Sequence, residues 1–271
     1  MSRKLDHLEW LEHSGKVLKS SCGSHIPIFT LNHDVTSTDI MSSWARHFRN
    51  HYCLDDDLPH IKNPAKTNKQ YLLTEKFPHG TNKPGPSIRA GDFAEILIAD
   101  YLEYIQKYQV PRTRYDRKGV PNESTKGSDV LAFKKAKNII SDKDELLIFE
   151  VKAKASGKRK VNVLQNAIDD SIKDEIRLAE SLSAMRQKLY DRRDMDAVEL
   201  IGRFQREPDY PYKRKYGAGA VITTSAYDET IISKSSTTSH PNRASLELIV
   251  INGELLMSLV HELYRRAADE A

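Results

Sequence analysis

The feature that most constrains this chain is the run Glu145 to Ala153 (ELLIFEVKA), in which four apolar residues, Leu146 to Phe149, lead directly into Glu150 and Lys152 with only Val151 between them. In an extended strand the side chains at i and i+2 share a face, so Glu150 and Lys152 point together while Phe149 and Val151 point the other way, into a core. Interior strands of a covered sheet are normally apolar on both faces. A carboxylate and an ammonium on one face of so apolar a strand therefore need a use.

Upstream, Asp129 opens the β-prone run Asp129 to Phe133 (DVLAF). If the two runs form an antiparallel hairpin around the polar stretch 134–145, Phe133 faces Leu146 and the same register sets Asp129 opposite Glu150. Directly opposed Cβ atoms lie roughly 4.5–5.5 Å apart, close enough for two carboxylates to share a hard divalent cation. Oxygen ligands from one or two carboxylates, completed by water and phosphate oxygens, suit Mg²⁺, for which Mn²⁺ substitutes. Such an ion polarises a phosphodiester and lowers the pKa of a bound water, while Lys152 steadies the attacking water or the charge developing on phosphorus. Lys154, Lys158, Arg159 and Lys160 follow at once and would hold a nucleic-acid backbone through its phosphates. An E-x-K triplet alone reads more readily as an exposed charge pattern on a half-solvated sheet. The Gly127-Ser128-Asp129 turn and the apolar strand favour the chemical reading. Asp92-x-x-Glu95 reads locally either as a source of carboxylates or as a capping box closing a helix N-terminus.

The surrounding pattern is α/β. Ile26 to Leu31 reads as a strand, and Ile40, Met41, Trp44, Phe48 and Tyr52 recur at helical spacing behind it. Residues 54–90 look irregular, with only Tyr71 to Leu73 offering a strand. Phe93, Ile96, Leu97, Tyr101 and Leu102 mark a helix from Asp92 to about Tyr108, halted by Pro111. After the hairpin, Leu164, Ile168, Ile172, Ile176, Ala179, Leu182 and Leu189 suggest one long helical stripe. Two strands, Ala218 to Thr224 and Leu246 to Ile251, precede a C-terminal helix from about Glu254 to Ala268. A mixed sheet flanked by helices is the expected architecture.

Bulk composition is less telling than its distribution. The 271 residues carry 42 Lys+Arg against 38 Asp+Glu, a net charge of +4 that does not by itself announce nucleic acid. Yet residues 152–160 hold five basic residues and no acid, and the loop Pro111 to Lys126 holds Arg112, Arg114, Arg117, Lys118 and Lys126 against two acids. Two cysteines, Cys22 and Cys53, exclude a disulfide framework and point to a reducing compartment. No apolar run approaches the roughly 18 residues of a membrane span, and Met1 to Lys19 lacks the apolar core of a signal peptide. The expectation is a cytoplasmic protein that does not engage the membrane.

Together, Arg89-Ala-Gly-Asp-Phe-Ala-Glu95, Gly127-Ser-Asp129 and Phe149-Glu150-Val-Lys152 resemble the PD-(D/E)-x-K nuclease superfamily over about residues 89–175. The resemblance implies a restriction-endonuclease-like core. It also implies Glu95 as a helix carboxylate joining Asp129 and Glu150 around the metal, and Lys152 as the catalytic lysine. Ser128 stands where the superfamily name has proline, and Gln165 matches a glutamine that some members carry after the lysine, beside the nucleic acid. More narrowly, R-x-G-D-F-x-E, the P-R-x-R loop at Pro111 to Arg114, G-S-D-V-L-x-F and E-V-K-A are similar to HamA, the nuclease subunit of the Hachiman anti-phage defence system. That implies a Mg²⁺-dependent DNase working under a helicase partner of the HamB type. The chain has no G-x-x-x-x-G-K-[ST] loop with which to bind ATP in the P-loop manner itself. On this reading residues 1–88 form a partner-docking region and residues 89–271 the nuclease domain. The alternatives are a stand-alone restriction or repair nuclease of the same superfamily, or a non-catalytic module that binds nucleic acid or a partner.

Three other signals have simpler readings. His47 and His51 stand at i, i+4 with Cys53 nearby, but without E-x-x-H or an evident fourth ligand they read as a solvated helical face. Asp55-Asp56-Asp57 lacks the glycine and terminal glutamate of a calcium loop and reads as a solvated turn. Tyr210-Pro-Tyr212-Lys-Arg-Lys-Tyr216 suits either base stacking or a structural turn.

Overall fold

A computed structural model describes residues 5–116, 118–137 and 139–271, leaving Arg117 of the basic loop outside the described residues. Two strands open the chain, β1 (Leu11–Lys19) and β2 (His25–Leu31). They are followed by α1 (Thr38–Asn50), the short helices α2 (Leu58–Ile61) and α3 (Asn68–Tyr71), and α4 (Gly85–Asp100). Next come β3 (Val130–Lys134), β4 (Glu145–Lys154), α5 (Val163–Ser171), α6 (Asp174–Asp191) and α7 (Met195–Phe204). The chain closes with β5 (Lys213–Thr223), α8 (Glu229–Ser233), β6 (Leu246–Gly253) and α9 (Leu256–Asp269).

One six-stranded mixed sheet of order β1-β2-β6-β5-β4-β3 organises these elements. Its two edge pairs, β1/β2 and β3/β4, are antiparallel, and β2/β6, β6/β5 and β5/β4 are parallel. Parallel strands have to be covered on both faces, and here α1, α4 and α9 cover one face while α5, α6 and α7 cover the other. Period-two alternation along β4 decides which side chains go where. Leu147, Phe149 and Val151 pack with Phe93, Ile96 and Leu97 of α4, whereas Leu146 and Ile148 pack with Leu178, Leu182 and Ile201 of α6 and α7. Phe149 also explains the small residues of β5. A Cβ on Gly217 would lie 2.0 Å from the Phe149 ring, and one on Gly219 would lie 2.8 Å from it, so only glycine lets the ring lie flat across the neighbouring strand.

The expected hairpin forms in the expected register, with Phe133 opposite Leu146 and Val130 opposite Phe149. Elsewhere the structure corrects the reading. Strand β1 was not anticipated, because its outward side chains are almost all exposed and leave no apolar run. Tyr71 to Leu73 is helical, since Thr67 and Gln70 exchange hydrogen bonds in a capping box that nucleates α3. Helix α4 starts at Gly85, which places Asp92 and Glu95 well inside it and removes the capping-box reading. The long helical stripe breaks between Ser171 and Asp174, and the break shifts its phase, so that Leu178, Leu182 and Leu189 are buried while Ile176 is 84% exposed.

The boundary expected at residue 88 falls inside α4. Strand β2 pairs with β6, with Ile28 opposite Val250, and the Arg49 guanidinium of α1 donates to the Ala267 carbonyl of α9 at 3.0 Å. The first strands and α1 are thus built into the same sheet and core as the rest of the chain. No helix among the described residues is long and apolar enough to cross a membrane.

Candidate functional site

Three elements converge where β3 and β4 begin to part. Helix α4 supplies Asp92 and Glu95, three residues apart and so on one face, and both are buried. The segment before β3 supplies Asp129, whose Oδ2 accepts a hydrogen bond from the Val151 N–H at 2.9 Å and locks the aspartate against β4. Strand β4 supplies Glu150 and Lys152, which continue the Leu146–Ile148 face after its apolar residues run out.

The carboxylates divide around Asp129. On one side the Arg114 guanidinium pairs with Glu95 through Nε and with Asp129 Oδ1 through Nη2 at 2.6 Å, and its Nη1 donates to the Ser128 carbonyl at 2.5 Å. The Tyr115 hydroxyl also donates to Glu95, and Asp92 accepts from Tyr52 at 2.6 Å and from Lys118 at 2.9 Å. On the other side Lys152 Nζ bridges Glu150 Oε1 at 2.5 Å and Asp170 Oδ2 at 2.9 Å. Asp174, at the start of α6, lies fully buried beside Glu150 and Asp129. The Ser128 hydroxyl lowers its pKa, but no well-directed hydrogen bond satisfies either carboxylate oxygen.

Crowding buried acids makes their ionisation costly. Burial pushes the Glu150 carboxyl up to about 8, Asp129 adds to the shift, and Lys152 opposes it. Burial likewise pushes Glu95 up to about 8 against the pull of Arg114, with Asp129 and Asp92 adding to the rise. Asp174 rises to about 6, first through burial, then through the Asp129 charge. Lys152 rises despite its own burial, because Asp170 and Glu150 favour its ammonium form.

A cavity of about 370 Å³ opens on the Arg114 side, lined among others by His51, Glu95, Arg114, Tyr115, Lys118 and Asp129. Glu150 and Lys152 do not line it. Of the residues expected to grip phosphates, Lys158 and Arg159 are exposed on the turn after β4, and Lys154 is half-buried at the strand's end. Lys160 donates to the Tyr227 carbonyl. Gln165 is occupied locally, with its amide donating to Asp169 and to the Ser236 carbonyl and its oxygen accepting from the Ser236 N–H. In the tyrosine-rich stretch Tyr216 is buried, Arg214 pairs with Glu207, and Lys215 pairs with Glu145 and Glu247. That stretch leads into β5, which begins at Lys213.

Sequence reasoning did not place Arg114, Tyr115, Asp170 or Asp174 at the site. Arg114 stood out only as part of a basic loop, and Asp170 and Asp174 straddle a helix break that the apolar period runs straight through. The histidine reading is also corrected. His51 is 5% exposed, and its Nε2 lies 3.2 Å from His47 Nε2, which lies 2.9 Å from Asp100 Oδ1. The pair faces the end of α4 rather than solvent, and Cys53 takes no part, its thiol meeting the Leu54 carbonyl. Asp55 is engaged too, pairing with Arg46 and Arg49.

Against known proteins, the family model described as HamA matches residues 6–267. No curated protein matches the chain.

Proposed function

The chain belongs to the HamA family, a component of Hachiman anti-phage defence, and on that premise we propose that it is a metal-dependent DNase whose cation is held by Asp129 and Glu150, with Glu95 as a further carboxylate. One observation carries the reading. Asp129 is tied to the Val151 N–H in the register that sets it beside Glu150, with Lys152 next on the same face and two more buried carboxylates adjoining.

The donor set fits a hard divalent ion. Glu95, Asp129, Glu150 and Asp174 are all oxygen donors, both Asp174 carboxylate oxygens lack a well-directed hydrogen bond, and burial leaves these acids in want of positive charge; no three of them bring oxygens within 4.8 Å of one another, so they would have to draw together around the ion. When bound, the ion would activate a water and polarise the phosphodiester. The chain's own residues would do the rest. Lys152, oriented by Asp170 and Glu150, would offer its ammonium to the attacking water or to the charge developing on phosphorus. Lys158 and Arg159, exposed just past Lys152, would contact the neighbouring phosphates and so set the strand's register. Arg114 holds Asp129 Oδ1 and would have to yield it as the cation enters.

A helicase of the HamB type is the proposed partner. The reading is tested by incubating plasmid DNA with Mg²⁺ and the wild-type, Glu150→Ala or Lys152→Ala protein. Loss of cleavage by about 10²-fold or more in both variants, with wild-type circular dichroism, is the expected result. Wild-type cleavage by Glu150→Ala would instead favour a module that binds nucleic acid or a partner without catalysis.

A further inference from the structure

At the cavity that Asp129 and His51 both line, α1 and the end of α4 bring together a second set of potential metal ligands that the nuclease reading does not use. His47 and His51 are one helical turn apart and face the same point. His47 Nε2 lies 2.9 Å from Asp100 Oδ1 and 3.2 Å from His51 Nε2, and the three ligand atoms all lie within 4.8 Å of one another. Ligand atoms at about 2.0–2.1 Å from a tetrahedral zinc ion are separated by about 3.3 Å, so the two separations from His47 Nε2 are those of one coordination sphere, and His51 and Asp100 would have to close on the ion together. We propose that His47, His51 and Asp100 form a second metal site, for a zinc-class transition ion.

The hydrogen-bond pattern supports it. Two imidazole Nε2 atoms and a carboxylate oxygen converge on one point, and the two ring nitrogens can share only one proton between them. Outer contacts fix the ligands in place, as metal sites require. The other oxygen of Asp100 meets His7 Nε2 at 3.0 Å, and the His7 ring stacks on Trp44 at a centroid separation of 4.4 Å. Arg112 Nη2 lies 2.9 Å from Asp100 Oδ1 and is itself paired with Glu103 at 2.6 Å, which offsets the repulsion it would exert on a cation; Arg192 is a second positive charge that His51 feels. His51 lines the cavity, so solvent can fill the remaining coordination position.

Two nitrogens and one oxygen favour Zn²⁺ over Mg²⁺, whereas the acid centre is all oxygen. The sites are therefore distinguishable by metal. The test is titration of the full chain carrying Glu150→Ala with Co²⁺, followed by visible absorption. A d–d spectrum of four- or five-coordinate cobalt that saturates at one equivalent, is bleached by Zn²⁺ and is unaffected by excess Mg²⁺ is the expected result. His51→Ala should remove the spectrum, and the milder His47→Gln, at a partly exposed position, should weaken Co²⁺ binding about tenfold or more. Absence of a spectrum in the parent protein overturns the proposal without recourse to any variant. So does a spectrum that survives in both histidine variants, or one bleached by Mg²⁺, which would place the cobalt among the acids.

Discussion

Replacing Arg114 by methionine removes the guanidinium from between Glu95 and Asp129 while keeping most of the side chain's apolar bulk. All three side chains are largely buried, with 15%, 10% and 11% exposure, so solvent cannot make up the loss. Breaking a buried ion pair by removing one partner costs about 3–5 kcal/mol. For a chain of this size each kcal/mol shifts the melting temperature by about 2–4 °C, so the expected drop is about 6–20 °C. It should lie toward the upper end at pH 9 and the lower end at pH 6, because Glu95, already pushed up to about 8, can take up a proton and relieve the repulsion. The assay is thermal unfolding in EDTA and then in Mg²⁺. If a cation takes the place of the guanidinium, a concentration near 100 times Kd returns about 2.7 kcal/mol. Arg114→Met should gain more from Mg²⁺ than the wild type, whose guanidinium competes for Asp129. Equal melting temperatures in EDTA at pH 9, or an equal gain from Mg²⁺ in both proteins, would refute the reasoning.

Two other outcomes follow from the same geometry. Gly217→Ala forces a Cβ to within 2.0 Å of the Phe149 ring, so β4 and β5 cannot keep their spacing, and a loss of about 3 kcal/mol or more is expected; an unchanged urea midpoint would contradict the packing. In EDTA, Glu95 and Glu150 (about 8) and Asp174 (about 6) keep protons in the folded state that the unfolded chain releases near pH 4. The folded state then binds more protons across that window, so stability should fall as pH rises from about 5 to 8. A melting temperature that climbs between pH 6 and 8 in EDTA would show that the acids are not strained in this way.

The hairpin was legible because its signal is local. DVLAF and ELLIFEVKA are short, almost wholly apolar runs separated by a polar stretch, and their pairing alone sets Asp129 beside Glu150. Strand β1 was not, since its side chains mostly face solvent and only its hydrogen bonds to β2 define it. Arg114 and Asp174 were hidden for a different reason. An arginine in a basic loop looks like a solvated charge until the fold drives it between two buried carboxylates. An aspartate in the Ser171–Asp174 break carries no period at all. His47 and His51 show the same limit. Their spacing was visible, but the partner that buries them, Asp100, lies on a helix whose packing against α1 is a tertiary fact.

The most direct test of the central claim is diffraction from a crystal soaked in Mn²⁺, with data collected for anomalous scattering. The account predicts a peak between the carboxylates of Asp129 and Glu150, accompanied by displacement of the Arg114 guanidinium from Asp129 Oδ1. A fully soaked crystal with no peak at that position, and with Arg114 still seated between Glu95 and Asp129, would contradict it.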